Sequence, residues 1–271
     1  RRVKLFLLGG GLIGQRRFLE KMFQKFRERW AEEGNPNVEF MVIPNTAWAG
    51  ALGTTSFIDS LTLRRPLPTS LNGDVLMVFL KAPVPGKVKT RLGETIGMKK
   101  AANVYRRLSE RTLEVVRRFS GNGMRVVLWC DPPGRKDYFR RWFGTRYDYR
   151  CQKGADLGVR MARSFGQSFR EGARRAVIIG TDCPELTPGI LKRAFVALRA
   201  KSLVIGPSRD GGYYLLGLTK NVPGLFQGVE WSTSNVLEQT LRSARRRKLS
   251  LVMLKTLRDI DTYDDYVIQF S

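Results

Sequence analysis

The segment Val78–Leu92, VFLKAPVPGKVKTRL, constrains this chain more than any other. The apolar run Val75–Leu80 predicts a short buried strand. It stops at a loop that holds two prolines, one glycine and four cations. Leu92, Ile96, Ala101 and Val104 then begin a helical period. A strand that empties into a rigid cationic loop before a helix is how α/β folds hold phosphates. Lys81, Lys87, Lys89 and Arg91 can all aim at one anion. Pro83, Pro85 and Gly86 would fix the path and let backbone come close. Taken alone, a solvated basic connection explains the segment equally well.

Composition narrows the partners. The formal charge is +24, from 48 basic and 24 acidic residues, which points to nucleotides, nucleic acid or an acidic membrane surface. There is no histidine, so Ser-His and Cys-His pairs and His-ligated metals are excluded. Acid–base work must fall to Asp, Glu, Lys, Tyr or Cys. Cys130, Cys151 and Cys183 are odd in number and widely spaced, without a C-x-x-C pair; they read as reduced thiols in a cytoplasmic protein. A metal would be held by oxygens, which favours Mg2+ or Mn2+. No apolar run approaches the ~18 residues of a membrane span. The stretch Leu5–Ile13 is short and Gly-broken, and it makes a poor signal peptide. The chain begins with Arg1 rather than Met, which fits a fragment or a removed first part.

At 271 residues the chain can hold one large domain or one domain plus a smaller unit. The reading divides it into residues 1–62, a linker at 63–74 with prolines and turn residues, and residues 75–271. In the first region Val3–Leu8 is a strand and Gln15–Trp30 a helix with Phe18, Met22, Phe26 and Trp30 on one face. Val38–Ile43 is a second strand and Ala49–Leu61 a second helix. Gly9–Gly14 fits G-x-G-x-x-G, but Pro44-Asn45 stands where a dinucleotide site needs an acidic residue. The order glycine cluster, strand, then Ala49-Gly50-Ala51-Leu52-Gly53 resembles the C-terminal βαβα end of sugar-kinase-type proteins; a small βαβα cap explains it as well.

The second region alternates strands and helices. The strands are Val126–Cys130, Ala176–Ile179, Leu203–Ile205, Tyr213–Leu218 and Leu249–Leu254. Helical spacing covers Lys99–Arg118, Leu157–Phe169, Leu186–Leu198, Val236–Ala244 and Thr262–Phe270. Such alternation predicts a largely parallel sheet with helices on both faces. Ligands in such sheets lie outside the carboxyl ends of the strands. Three strand ends there offer carboxylates: Asp182, Asp210, and Asp259 with Asp261. Each has a plain structural alternative. Asp182 could cap the helix from Leu186, Asp210 before Gly211-Gly212 could make an ordinary turn, and Asp261 could cap the last helix, where Asp261–Asp264 and Thr262–Asp265 both have capping-box spacing.

Six stretches together closely resemble one family: KAPVPGKVKTRL, GADLGVRM, GTDCPEL, GPSRDGGYYLLGL, VEWSTSNVL and DIDTYDD. It is the group of bacterial glycosyltransferase-A-like proteins of largely unassigned substrate, distantly related to molybdenum-cofactor guanylyltransferase and 2-phospho-L-lactate guanylyltransferase. The match runs in order from about Val75 to Ser271. It implies a three-layer α/β/α fold with a mostly parallel mixed sheet and a nucleotide across its top. Lys81, Lys89 and Arg91 would match the phosphate loop, and Asp156 and Arg160 would lie near the base. Asp182 and Asp261 would match metal-side carboxylates for Mg2+ or Mn2+. Gly211 and Gly212 beside Asp210, with Trp231, Ser232 and Thr233, would face the acceptor. Cys183 departs from the serine common beside the aspartate.

The implied chemistry is displacement at phosphorus or at an anomeric carbon, with Asp182 and Asp210 in the catalytic roles and Asp210 activating an acceptor hydroxyl. The leading expectation is a metal-dependent transferase with a nucleotide-sugar donor and a small-molecule acceptor. The alternative is a guanylyltransferase-like enzyme that activates a small phosphorylated or cofactor-like acceptor. A third class is a non-catalytic basic nucleic-acid-binding protein, for which two stretches speak. Arg245-Arg246-Arg247-Lys248 is a four-cation run, and Tyr138–Arg150 interleaves aromatics with arginine. A solvated helix end and a partly buried amphipathic helix are the favoured readings of these, and nucleic acid is not expected as a partner.

Overall fold

A computed structural model of the chain describes residues 3–9, 38–44, 73–120 and 124–270. Two compact units divide the chain, Arg1–Arg65 and Pro66–Ser271. In the first unit β1 (Val3–Gly9) and β2 (Val38–Pro44) pair in parallel, with Val3 opposite Val38 and Gly9 opposite Pro44. The two helices expected there, Gly10–Gly14 and Ala49–Gly53 lie outside the described residues.

The second unit is built on seven strands among the described residues. They are β3 (Asp74–Lys81), β4 (Arg125–Asp131), β5 (Asp148–Cys151), β6 (Arg175–Ile179), β7 (Leu203–Pro207), β8 (Tyr213–Leu218) and β9 (Leu251–Met253). Their order across the sheet is β5-β4-β3-β6-β8-β7-β9. Every pairing is parallel except those of β8, which runs antiparallel to both β6 and β7. The six parallel strands therefore end along one edge of the sheet, and β8 begins there.

Both faces of the sheet are covered, and β3 shows why its sequence is apolar throughout. Leu76, Val78 and Leu80 fall in one core cluster with Leu113, Val116, Phe139, Leu191 and Phe195. Val75 and Met77 fall in the other with Met161, Phe165 and Ala244. Successive side chains point to opposite faces, so a strand covered on both sides needs an unbroken apolar run. The first face carries α2 (Met98–Ser120), α3 (Lys136–Phe143) and α5 (Pro188–Ala197). The second carries α4 (Leu157–Arg170) and α6 (Val236–Arg246). The expected three-layer α/β/α fold with a mostly parallel mixed sheet is thus present. None of the described helices is long and apolar enough to cross a membrane.

Two local expectations change. The period from Leu92 to Val104 is not one helix: α1 (Thr90–Ile96) and α2 are parted by Gly97, whose φ of 90° is open to glycine and strained for other residues. The stretch Tyr138–Arg150 is helical only to Phe143. Gly144, at φ 80°, ends α3, and the chain then extends into β5. Its aromatic residues pack inward: Phe139 is fully buried and Tyr138, Trp142 and Phe143 pack against the same core. Leu157, expected on the buried face of α4, is exposed at the first turn of that helix, while Met161 and Phe165 are buried.

Thr187, not Asp182, caps α5; its Oγ1 accepts the Ile190 N–H at 3.3 Å. Thr187→Ala is expected to lower stability by about 1 kcal/mol in urea unfolding, as for other N-cap losses.

Candidate functional site

The site stands at the edge where the parallel strands end, and Lys89 is its centre. The loop after β3 folds on itself through the Val84 N–H to Ala82 and the Lys87 N–H to Val84, at 2.8 and 3.0 Å. Val88 is buried against Ala102 and Tyr105, which plants the loop on α2. Lys89 follows with φ 50°, a left-handed conformation uncommon outside glycine, at the N-cap of α1. Such a conformation costs on the order of 1 kcal/mol and persists only where its surroundings hold it.

What holds it is a pair of carboxylates. The Lys89 ammonium forms an ion pair with Asp182 Oδ1 and another with Asp261 Oδ1, the second at 2.7 Å. Arg91 reaches the other oxygen of Asp261 at 3.3 Å. The Lys89 side chain is only 4% exposed, against 43% for Asp182 and 30% for Asp261. Burial opposes the charge on Lys89, but the two carboxylates outweigh it, and the ammonium pKa is raised.

Three segments must meet to build this triad. Asp182 follows β6 by way of Gly180 and the buried Thr181. Asp261 precedes α7 (Tyr263–Phe270) and is positioned by Ile260. Ile260 is fully buried with Leu92, Ala101 and Leu108, and its N–H donates to the Asp182 carbonyl at 3.1 Å. Tyr105 ties the ends of β3 and β6: its phenol oxygen accepts the Lys81 N–H at 2.8 Å and the Thr181 hydroxyl at 3.1 Å. Burial, with Asp182 nearby, pushes the Tyr105 pKa up to about 12.

The capping alternatives for both carboxylates go to their neighbours. Thr187 takes the α5 cap. Thr262 and Asp265 form the α7 capping box: Asp265 Oδ2 accepts the Thr262 N–H at 3.0 Å, and Thr262 Oγ1 accepts the Asp265 N–H at 3.3 Å. Asp182 and Asp261 are left facing one cation position.

Next to the triad lies a pair whose contact the sequence did not show. Asp259, expected with Asp261 among the strand-end carboxylates, is bonded to the Cys183 thiol. Burial pushes its pKa up to about 7, and Asp182 and Asp210 add to the effect. Burial and then Asp259 hold the Cys183 thiol protonated.

The remaining expected residues fall into two groups. Lys81 and Lys87 are exposed at the loop, and the Arg91 side chain is 67% exposed at its rim. Asp156 caps α4, accepting the Val159 N–H at 2.8 Å. Arg160 bridges the Asp131 carboxylate at the end of β4, at 3.3 Å, and the Gly154 carbonyl at 3.2 Å. Asp210 makes the turn between β7 and β8: its Oδ1 accepts from Ser208 Oγ and, at 3.0 Å, from the Gly212 N–H. Gly211 has φ 87°, and a Cβ there would stand 2.1 Å from the Ser234 carbonyl. That close approach joins the Asp210 turn to the 231–235 loop. Trp231 packs against Gly158 of α4, where a Cβ would stand 2.5 Å from its ring, while Ser232 and Thr233 are exposed. A cavity of about 640 Å3 opens elsewhere, along the edge strand β5, and shares none of the triad's residues.

Among the described residues no group of three or more Cys, Asp and Glu could hold a metal ion by itself. The convergence of Asp182 and Asp261 on one cation still suits Mg2+ or Mn2+. These ions take one or two carboxylates when phosphates and water complete the shell.

Residues 114–233 match the family described as "Uncharacterized protein conserved in bacteria (DUF2064)". Among solved structures the chain is similar to a Desulfovibrio desulfuricans G20 protein that carries the provisional name nucleotide-diphospho-sugar transferase. The two are 33% identical with a TM-score of 0.68, over 73% of this chain and 86% of that one. More distant likenesses are Rv0371c of Mycobacterium tuberculosis H37Rv, 19% identical with a TM-score of 0.44 over 74% and 98% of the two chains, and the inositol-1-phosphate CTP transferase of T. maritima, 16% identical with a TM-score of 0.45 over 72% and 91%. No curated protein matches the sequence.

Asp259→Asn tests the buried acid. A carboxyl with a raised folded pKa favours folding while protonated, and that contribution is lost as pH rises. The melting temperature of the variant is therefore expected to gain on wild type between about pH 4 and pH 7 and to keep a constant lead above that.

Proposed function

We propose that this chain, which belongs to the DUF2064 family of bacterial proteins, is a metal-dependent transferase that takes a sugar from a nucleotide-sugar donor and passes it to a small acceptor. The observation that carries this reading is the meeting of Lys89, Asp182 and Asp261, from three separate segments, at the carboxyl edge of the sheet. The provisional name of the relative with 33% identity supports the nucleotide-sugar donor.

In this reading the chain's own residues do electrostatic work. Transfer from a nucleotide donor leaves negative charge on the departing phosphates, and cations fixed in advance stabilise it. Lys89 would supply a charge shielded from water, and Arg91 and Lys81 would supply charges at the rim. Asp182 and Asp261 would hold Mg2+ or Mn2+, which would neutralise the phosphates when bound. Asp156 and Arg160 would keep the loop after β5 in place beside the base. Asp210 would take the acceptor's hydroxyl proton, held still by Ser208 and the Gly212 N–H. Gly211, Gly212, Trp231, Ser232 and Thr233 would form the acceptor wall. No covalent nucleophile is required, so the lack of histidine is no obstacle.

The test incubates the protein with labelled nucleotide-sugars and nucleoside triphosphates, with and without Mg2+ or Mn2+. Metal-dependent release of a nucleoside diphosphate is expected. Pyrophosphate release from a triphosphate would replace sugar transfer with nucleotidyl transfer, and no turnover or binding of any nucleotide would overturn both. Asp182→Asn and Asp261→Asn should each lower kcat by a factor on the order of 100, the scale of losing one transition-state contact, with circular dichroism unchanged.

A further inference from the structure

We propose that Lys89 occupies the metal position in the ligand-free protein, so that divalent cation and phosphate must bind together. The inference rests on the metal-dependent reading above and adds a coupling that this reading does not require.

Three of the four carboxylate oxygens suited to a metal already face a cation. Asp182 Oδ1 and Asp261 Oδ1 both bond the same ammonium, and Arg91 engages the second oxygen of Asp261. Two carboxylates facing two cations make a neutral cluster. A divalent ion arriving alone would meet little net attraction there. It would also have to lie within a few ångströms of a buried ammonium, and like charges at that range repel strongly where water is excluded. Among the described residues there is no third acidic or thiol ligand to complete a shell. The metal must therefore bring other ligands, and Lys89 must find another counter-charge.

A phosphate answers both needs. Its oxygens complete the metal's shell, and its charge accepts the lysine. Lysine suits such an exchange, being a compact charge on a four-carbon stem that can swing between partners. The backbone favours the same reading. Lys89 sits at φ 50°, a strained position that the buried Val88 on one side and the ion pairs on the other hold in place. Because binding linkage is reciprocal, the metal should raise phosphate affinity by the same factor by which phosphate raises metal affinity.

The test measures Mn2+ binding by equilibrium dialysis, with inorganic pyrophosphate as the phosphate probe and protein-free controls for the Mn2+–pyrophosphate complex. Wild-type protein is expected to bind Mn2+ weakly alone and about tenfold or more tighter with pyrophosphate, within the usual range of coupling between sites. Lys89→Met is expected to bind Mn2+ alone about tenfold tighter than wild type and to lose most of the coupling. If wild type binds Mn2+ alone as tightly as Lys89→Met, the metal site stands and the proposed exchange is wrong. If no form retains Mn2+ with or without pyrophosphate, the metal reading beneath it falls as well. Should Lys89→Met fail to fold, the wild-type titrations decide: an Mn2+ affinity unchanged by pyrophosphate overturns the proposal.

Discussion

A buried ammonium cannot stand without counter-charge, and this requirement organises the working edge of the second unit. Lys89 is shielded from water, so removing one partner would leave a charge that is expensive to keep buried. Its two partners come from chain positions about 90 and 170 residues further on, so the triad forms only when β3, β6 and the segment before α7 are all in place. Ile260 and Val88 supply the apolar anchors that aim Asp261 and Lys89. Each anchor is the buried middle residue of a charged triplet: Lys87-Val88-Lys89 and Asp259-Ile260-Asp261. The same sequence device, a buried residue between two charged ones, delivers one polar side chain inward and leaves its neighbour to other work.

Much of the fold was legible because the sheet is covered on both faces. Apolar runs such as Val75–Leu80 and Ala176–Ile179 can hardly be anything but central strands, and the helices between them carry their buried residues at regular spacing. Where reading failed, a glycine was usually responsible. Gly97 and Gly144 have positive φ, which apolar periodicity does not record, and each broke an expected element. The short edge strand β5 was hidden for a related reason: its tetrapeptide Asp-Tyr-Arg-Cys has one buried side chain, Tyr149, and offers little pattern to see.

The site was legible in its members more than in its pairings. The strand-end rule brought Asp182, Asp210 and Asp261 to one edge before any geometry was known. It could not say that Lys89 would face the carboxylates, because a side chain's direction depends on the left-handed turn at that residue. Nor could it find the Asp259–Cys183 pair, since what marks that carboxyl is burial, which sequence shows only through the apolar neighbour Ile260. The aromatic and arginine-rich stretch 138–150 shows the opposite case. Its composition suggests stacking on bases, yet Trp142 donates its N–H to Glu110 at 2.9 Å, and Arg150 is bound by Asp148 and Glu171. These groups already serve the packing of α3 and β5.

The reversed strand β8 has an effect on Asp210 that the other loops do not share. The loops after β3 and β6 run from a strand into a helix, and such loops can lengthen by unwinding a turn of that helix. The Asp210 turn joins two strands paired with each other, Gly206 opposite Leu215 and Pro207 opposite Tyr213. Inserting a residue there would shift one strand against the other or enlarge the bulge that already falls between Gly206 and Pro207. The place of this carboxylate is therefore set by the register of the sheet. Substitution can change the side chains of this turn far more easily than insertion can change its length.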